Sequence, residues 1–150
     1  MLLQQFSLVF SGGNTPSNKV LEKISKKHKL AFTLDVDKDN EETSICILHP
    51  RKYGFSGNID NYSQWFVEFI KSEYEMLSLL GLNDIEIVID LFFSEKHSST
   101  EILNNEFMFL LNKYNISSIA INTHQLEISE LKEELLKQNY SKDEFSDLIK

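Results

Sequence analysis

Ile85-Glu86-Ile87-Val88-Ile89-Asp90-Leu91-Phe92-Phe93 is the stretch whose reading decides the fold of this chain. Every odd position in it is apolar, whereas Glu86 and Asp90 share the even parity. Successive side chains of a strand point to opposite faces, so the pattern predicts a strand with one face on a core and the other nearer water. The segment before it keeps a different period. Tyr62, Phe66, Phe69, Ile70, Met76, Leu77 and Leu80 recur at helical spacing with Trp65 at their border, and Gly81 ends the run. Ser63, Glu68, Lys71, Ser72 and Glu75 are expected on the wet side of that helix, and Asn61 with Gln64 supplies a capping pair at its start.

Working outward, Leu3 to Phe10 alternates as a first strand and is broken at Ser11-Gly12-Gly13-Asn14. The two glycines lack both the third glycine of a dinucleotide loop and the Gly-Lys-Ser/Thr of a nucleotide-phosphate loop, so a flexible turn is expected. Thr15-Pro16 begins a helix whose inward face is Val20, Leu21, Ile24 and His28, with lysines gathered toward its C-terminal end, where the helix dipole favours them. Leu30 to Val36 and Thr43 to Leu48 read as a hairpin. Its tip, with Asp35, Asp37, Asp39, Glu41 and Glu42, superficially has a calcium-loop spacing. Asn40 stands at the glycine position and Cys46 at the bidentate glutamate position, however, and the flanks are strands, so no metal is expected.

His49 to Asp60 is a long irregular segment carrying Arg51, Tyr53 and Phe55, residue types suited to binding surfaces. The competing reading is that Tyr53 and Phe55 tuck down over a sheet edge. Further on, a short helix is expected over Asn105 to Tyr114 and a strand over Ile116 to Thr123. Ser129 opens a helix with Leu131 and Leu135 inward and Glu130, Glu133 and Glu134 outward. Ser141-x-x-Glu144 caps a last turn bearing Phe145, Leu148 and Ile149.

The order of elements predicts an α+β chain, a ferredoxin-like two-layer sandwich of about five mainly antiparallel strands with helices on one face. It is expected as one domain over residues 1–150, with 127–150 as a helical C-terminal extension. Two split strand–helix–strand units are read, one through Phe6–Val36 and one through Ile85–Thr123. The polar residues Thr33, Asp35, Glu86 and Asp90 imply a sheet with one open face.

The chain has 150 residues, 41% hydrophobic and 25% charged, with a net charge of −8. Such a composition belongs to a globular domain that needs no disulfide to fold. Residues 1–30 hold five lysines against Glu22, so the acidic excess lies in the remainder. An acidic surface repels phosphate, and Arg51 is the only arginine, which argues against nucleic acid as a partner. Cys46 is alone, so no intramolecular disulfide exists. With no leader-like or bilayer-length apolar run, a cytoplasmic protein without membrane contact is expected.

Catalytic signals are sparse. His28, His49, His97 and His124 show no metal-ligand spacing, and neither a nucleophile elbow nor a zinc-protease helix occurs. Glu86 and Asp90 are four residues apart on one strand, roughly 13 Å, which is too far for an acid–base couple. No enzyme, cofactor or metal is therefore expected.

From His49 through Thr123 the succession of strand, aromatic loop, Trp-bearing helix, alternating strand, short helix and alternating strand resembles a family of small bacterial proteins of ferredoxin-like type. In size, acidity and lack of catalytic motifs the chain is similar to immunity proteins that neutralise toxins delivered between competing bacteria. That resemblance implies a non-catalytic inhibitor of a cognate toxin domain that is basic, with a nuclease as one class expected. The surfaces it would use are the acidic tip, the Glu86 and Asp90 face, the Arg51, Tyr53 and Phe55 loop, and the Glu130, Glu133 and Glu134 face. The alternative is a small-ligand or regulatory domain using the open sheet face and the 49–59 loop.

Overall fold

In a computed structural model the described residues are 2–13, 15–30, 32–37, 39, 42–55, 59–94, 105–114, 116–137 and 140–141. They form strands β1 (Leu2–Gly12), β2 (Phe32–Asp37), β3 (Glu42–Leu48), the two-residue β4 (Gly54–Phe55), β5 (Asp84–Phe93) and β6 (Ile116–Gln125). The helices are α1 (Asn18–His28), α2 (Ile59–Leu79), α3 (Asn105–Lys113) and α4 (Ile128–Lys137). The five long strands make one mixed sheet in the order β2-β3-β1-β5-β6, with β4 beside β1. Among the described residues, no helix is long and apolar enough to cross a membrane. The expected last turn with Phe145, Leu148 and Ile149 lies in 142–150, outside the described residues.

The sequence period places the core. Phe6, Leu8 and Phe10 of β1 and Ile85, Ile87 and Ile89 of β5 share one face of the sheet, and all are sealed from water. Against that face lie Leu21 and Ile24 of α1, the Tyr62, Phe66, Phe69, Ile70 and Leu77 stripe of α2, and Leu110 of α3. Phe6 stacks on Phe66 with ring centroids 5.6 Å apart, and each such buried phenylalanine contributes about 1.5–3 kcal/mol through area removed from water. The α2 helix stops where glycine permits it. Gly81 has φ 85, with Leu82 N–H donating to the Leu77 carbonyl and Gly81 N–H to the Ser78 carbonyl, a Schellman cap.

Ser63, expected on the wet side of α2, is buried instead, because β4 passes close to this end of the helix. A Cβ on Gly54 would sit 2.5 Å from the Tyr62 ring, so only glycine lets the strand approach. Gly12 is likewise a close-approach residue rather than part of a loose turn. It ends β1, and a Cβ there would fall 1.7 Å from the Gly81 carbonyl oxygen.

One expectation is corrected by the topology. The first split unit is as read, since β3 lies between β1 and β2 and is antiparallel to both. Ile85–Thr123 is not a second one: β5 and β6 are adjacent and parallel. The strands flanking an inserted neighbour are instead β3 and β5, joined by α2, with β1 between them. Loop composition suggested the wrong pair because strand adjacency depends on long-range register, which local sequence does not carry. The parallel β5–β6 pair also makes the sheet mixed.

α4 packs on the face opposite α1–α3. Leu131 and Leu135 are buried with Leu3, Tyr53 and Tyr140, and Phe92 and Leu126 pack against them. The sheet is thus layered on one side and covered at one end on the other.

Candidate functional site: the open face of the sheet

Register assigns the residues of the second face. Gln5 pairs with Asp90, Val9 with Glu86, Asp90 with Asn122, and Phe92 with His124. One end of this face, at Leu3 and Phe92, is roofed by α4 and Tyr53. Beyond that roof Glu86, Val88 and Asp90 are half-buried and Asn122 and His124 are exposed.

Asp90 is held by its neighbours on β6. Its Oδ1 accepts a hydrogen bond from Asn122 Nδ2 at 3.0 Å and lies 3.1 Å from His124 Nε2. The His124 ring stacks on Phe92, centroids 4.7 Å apart and planes 17° from parallel. Phe92 in turn meets the edge of Tyr53 at 5.9 Å. A carboxylate, an imidazole and an aromatic face are therefore presented together, with their rotamers fixed by cross-strand contacts. Sequence reasoning missed His124 and Asn122 as partners of Asp90. The available signal was parity: a strand beside β5 puts 122 and 124 on the same face as 90 and 92.

The roof is sealed by two tyrosine hydroxyls where the strand pairing lapses. β1 pairs with β3 from Ser7 onward and with β4 at Leu3 and Gln4, leaving a gap opposite the 49–53 segment. From the helix layer, Tyr62 OH accepts the Phe6 N–H at 3.1 Å and donates to the Lys52 carbonyl at 2.5 Å. From the α4 side, Tyr140 OH accepts the Tyr53 N–H at 3.3 Å and donates to the Arg51 carbonyl. Burial pushes the Tyr62 and Tyr53 hydroxyls well above the ordinary phenol range, in Tyr53 with the added effect of its hydrogen bond to Glu134, so both stay protonated donors.

His49 opens this segment against Tyr62, Trp65 and Phe66. Burial, with the nearby Arg51 charge, lowers its pKa to about 4, and its Nδ1 accepts the Arg51 N–H at 3.0 Å. Of the two readings left open for the 49–59 segment, Tyr53 takes the structural one, being only 4% exposed. Its hydroxyl donates to Glu134 Oε1 at 2.7 Å, which with Lys52 holds that carboxyl below the usual range. Arg51 stacks over the Tyr140 ring at 5.0 Å. Phe55 pairs through its backbone with Leu3.

Arg51, Tyr53, Glu134 and Asp90 thus gather at one corner, with Glu86 further along the same face. The acidic tip is elsewhere. Asp35, Asp37, Asp39 and Glu42 lie at the β2–β3 turn, where Asp37 pairs with Glu42 and accepts the Asp39 N–H at 3.0 Å. This turn adjoins the Gly12 end of β1, whereas the roofed corner adjoins Leu3. Glu41 lies outside the described residues. Glu130 and Glu133 are exposed on α4, with Glu130 accepting the Glu127 N–H at 2.8 Å.

Cys46 is half-buried on the open-face parity, and burial raises its thiol pKa against a weaker opposing hydrogen bond with Ser7. It is a poor nucleophile. The described residues hold no group of three or more His, Cys, Asp or Glu side chains placed for a metal. Among them His124 has its hydrogen bond with Asp90 alone, without a hydroxyl or thiol to activate. No family model, curated protein or solved structure matches the chain.

Proposed function

We propose that the protein is a non-catalytic inhibitor, a cytoplasmic immunity protein that binds and neutralises a cognate toxin domain through the open face of its sheet. The observation that carries this reading is the fixed Asp90–Asn122–His124 group beside Phe92, set on a chain of net charge −8. A preset carboxylate flanked by an aromatic ring gives a cationic protein surface both a charge partner and apolar contact without ordering cost. The partner is a basic domain, for which a nuclease is the natural class because its own substrate is anionic. Nucleic acid itself is not a partner of this acidic surface. The strand order β2-β3-β1-β5, joined through α1 and α2, supports assigning that core to the ferredoxin-like arrangement, with α3, β6 and α4 as additions.

Co-purification with proteins encoded beside its gene tests the proposal. A stoichiometric complex with a basic domain, weakened by salt and by Asp90→Lys, is expected. Failure to bind or to protect cells against every neighbouring toxin candidate overturns it.

A further inference from the structure

The two edges of the sheet differ in charge. β2 carries Asp35 and Asp37 and runs into the acidic tip. β6 spans ten residues without Asp, Glu, Lys, Arg, Pro or Gly, in a chain whose residues are 25% charged. Charges and prolines are what blunt an exposed strand edge, and β6 has neither. Its inner side pairs with β5, and among the described residues no strand pairs with its outer side. The helix layer does not cover it fully: Ile121, on the parity facing α1–α3, is 48% exposed.

We propose that the outer edge of β6 pairs antiparallel with β6 of a second copy of this chain, about a two-fold axis at Ile121. The bulge between Ile85 and Glu86 leaves Ser117 out of register, and pairing is regular from Ser118 onward. A two-fold axis at Ile121 falls inside this regular stretch. Antiparallel self-pairing there sets Ile121 against itself, Ala120 against Asn122, Ile119 against Thr123 and Ser118 against His124. Opposed residues share a face, so Ile119 and Ile121 stay on the helix side and the two open faces become continuous. No two formally charged side chains are opposed. Asp90 lies one strand inward, so three strand spacings, about 14 Å, separate β5 from its copy, and surface charges at that range are largely screened. Self-pairing at β2 would instead bring the aspartates of two acidic chains together.

Sedimentation equilibrium of the full chain over a concentration series tests this, with amide hydrogen exchange as the second readout. Wild type is expected to reach twice the chain mass, with alternate amides of 118–124 protected in the dimer. Ile121→Lys places two ammonium groups face to face and should weaken the dimer by about tenfold or more, with unchanged far-UV circular dichroism. Asp35→Lys on the opposite edge should leave it intact. If Ile121→Lys does not fold, Thr123→Lys at an exposed position sets an ammonium group against Ile119 at both ends of the pairing and should also weaken the dimer. A chain that stays monomeric at sub-millimolar concentration overturns the proposal. So does a dimer indifferent to both lysines, or one whose protection maps elsewhere.

Discussion

On one face of the sheet Phe6, Phe10, Ile87 and Ile89 meet Phe66 and Phe69 and are sealed from water; on the other, Leu3 is equally buried while Asp90, two positions from Phe92, stays accessible. The first face is closed mainly by side-chain volume, with the Tyr62 hydroxyl and the Glu73 ion pairs as polar contacts within its helix layer. The second is closed at one end by a helix and the Tyr140 hydroxyl, and the rest remains polar. Burial of apolar area is non-directional and forgiving, whereas closing an interrupted strand needs a donor and an acceptor at defined points. The same sheet therefore carries stability on one side and room for recognition on the other.

The comparison breaks if substitutions on the two faces have equal effects. Phe66→Ala should cost about 3–5 kcal/mol in urea-induced unfolding, as a large cavity opens in a fully buried cluster. Phe92→Ala, on a half-buried ring, should cost clearly less. Gly12→Ala forces β1 away from the Gly81 carbonyl and should cost about 1–3 kcal/mol, read as a lower unfolding midpoint. Tyr140→Phe keeps the ring but removes the hydroxyl that bridges the Tyr53 N–H and the Arg51 carbonyl, which keep their bond to each other, for about 1 kcal/mol. An unchanged midpoint in Tyr140→Phe would mean that the hydroxyl seal is not what closes the roofed end.

Two ionisable groups, half-buried His49 and buried Glu73, give the helix side an acid limit. His49 is protonated only near pH 4 in the folded chain but near 6.5 when unfolded. Its folded pKa is depressed, so the stability it contributes is present above 6.5 and is lost as pH falls toward 4. Glu73 pins α1 to α2 through Lys27 at 2.5 Å and His28 at 2.7 Å, with Ser72 of its own helix donating at 2.9 Å. Burial alone would raise its pKa, but the hydrogen bonds from His28, Lys27 and Ser72 outweigh it and leave the carboxyl below its usual value. Its contribution is likewise present above the unfolded carboxylate range and is lost on acidification through the folded pKa. Stability followed from pH 7 to pH 4 should fall, and His49→Phe should flatten the upper part of that slope.

Much of this was legible in the sequence because it follows from period. The alternation of β5, the stripe of α2, the Gly81 stop and the inward Leu131 and Leu135 all depend on residues near one another in the chain. The Asp90–His124 pair, the Tyr62 and Tyr140 seals and the adjacency of β5 and β6 depend on contacts between distant segments. Glu73 sat within the apolar spacing of Phe66, Phe69, Ile70 and Leu77, and a carboxylate there implies a buried cation from another element. Its partners on α1 were the part that only the fold supplies.

Asp90→Asn should change stability by less than about 0.5 kcal/mol, since the side chain is accessible and its bonds are cross-strand surface contacts. That smallest effect on folding leads to the measurement that bears on the central claim. Calorimetric titration with the basic domain found by co-purification would compare wild type, Asp90→Lys on the open face and Asp37→Lys at the hairpin tip. Asp90→Lys is expected to weaken binding by about 100-fold or more, near 3 kcal/mol, while Asp37→Lys stays close to wild type. Equal affinity for wild type and Asp90→Lys, or a loss confined to Asp37→Lys, would contradict the open face as the binding surface.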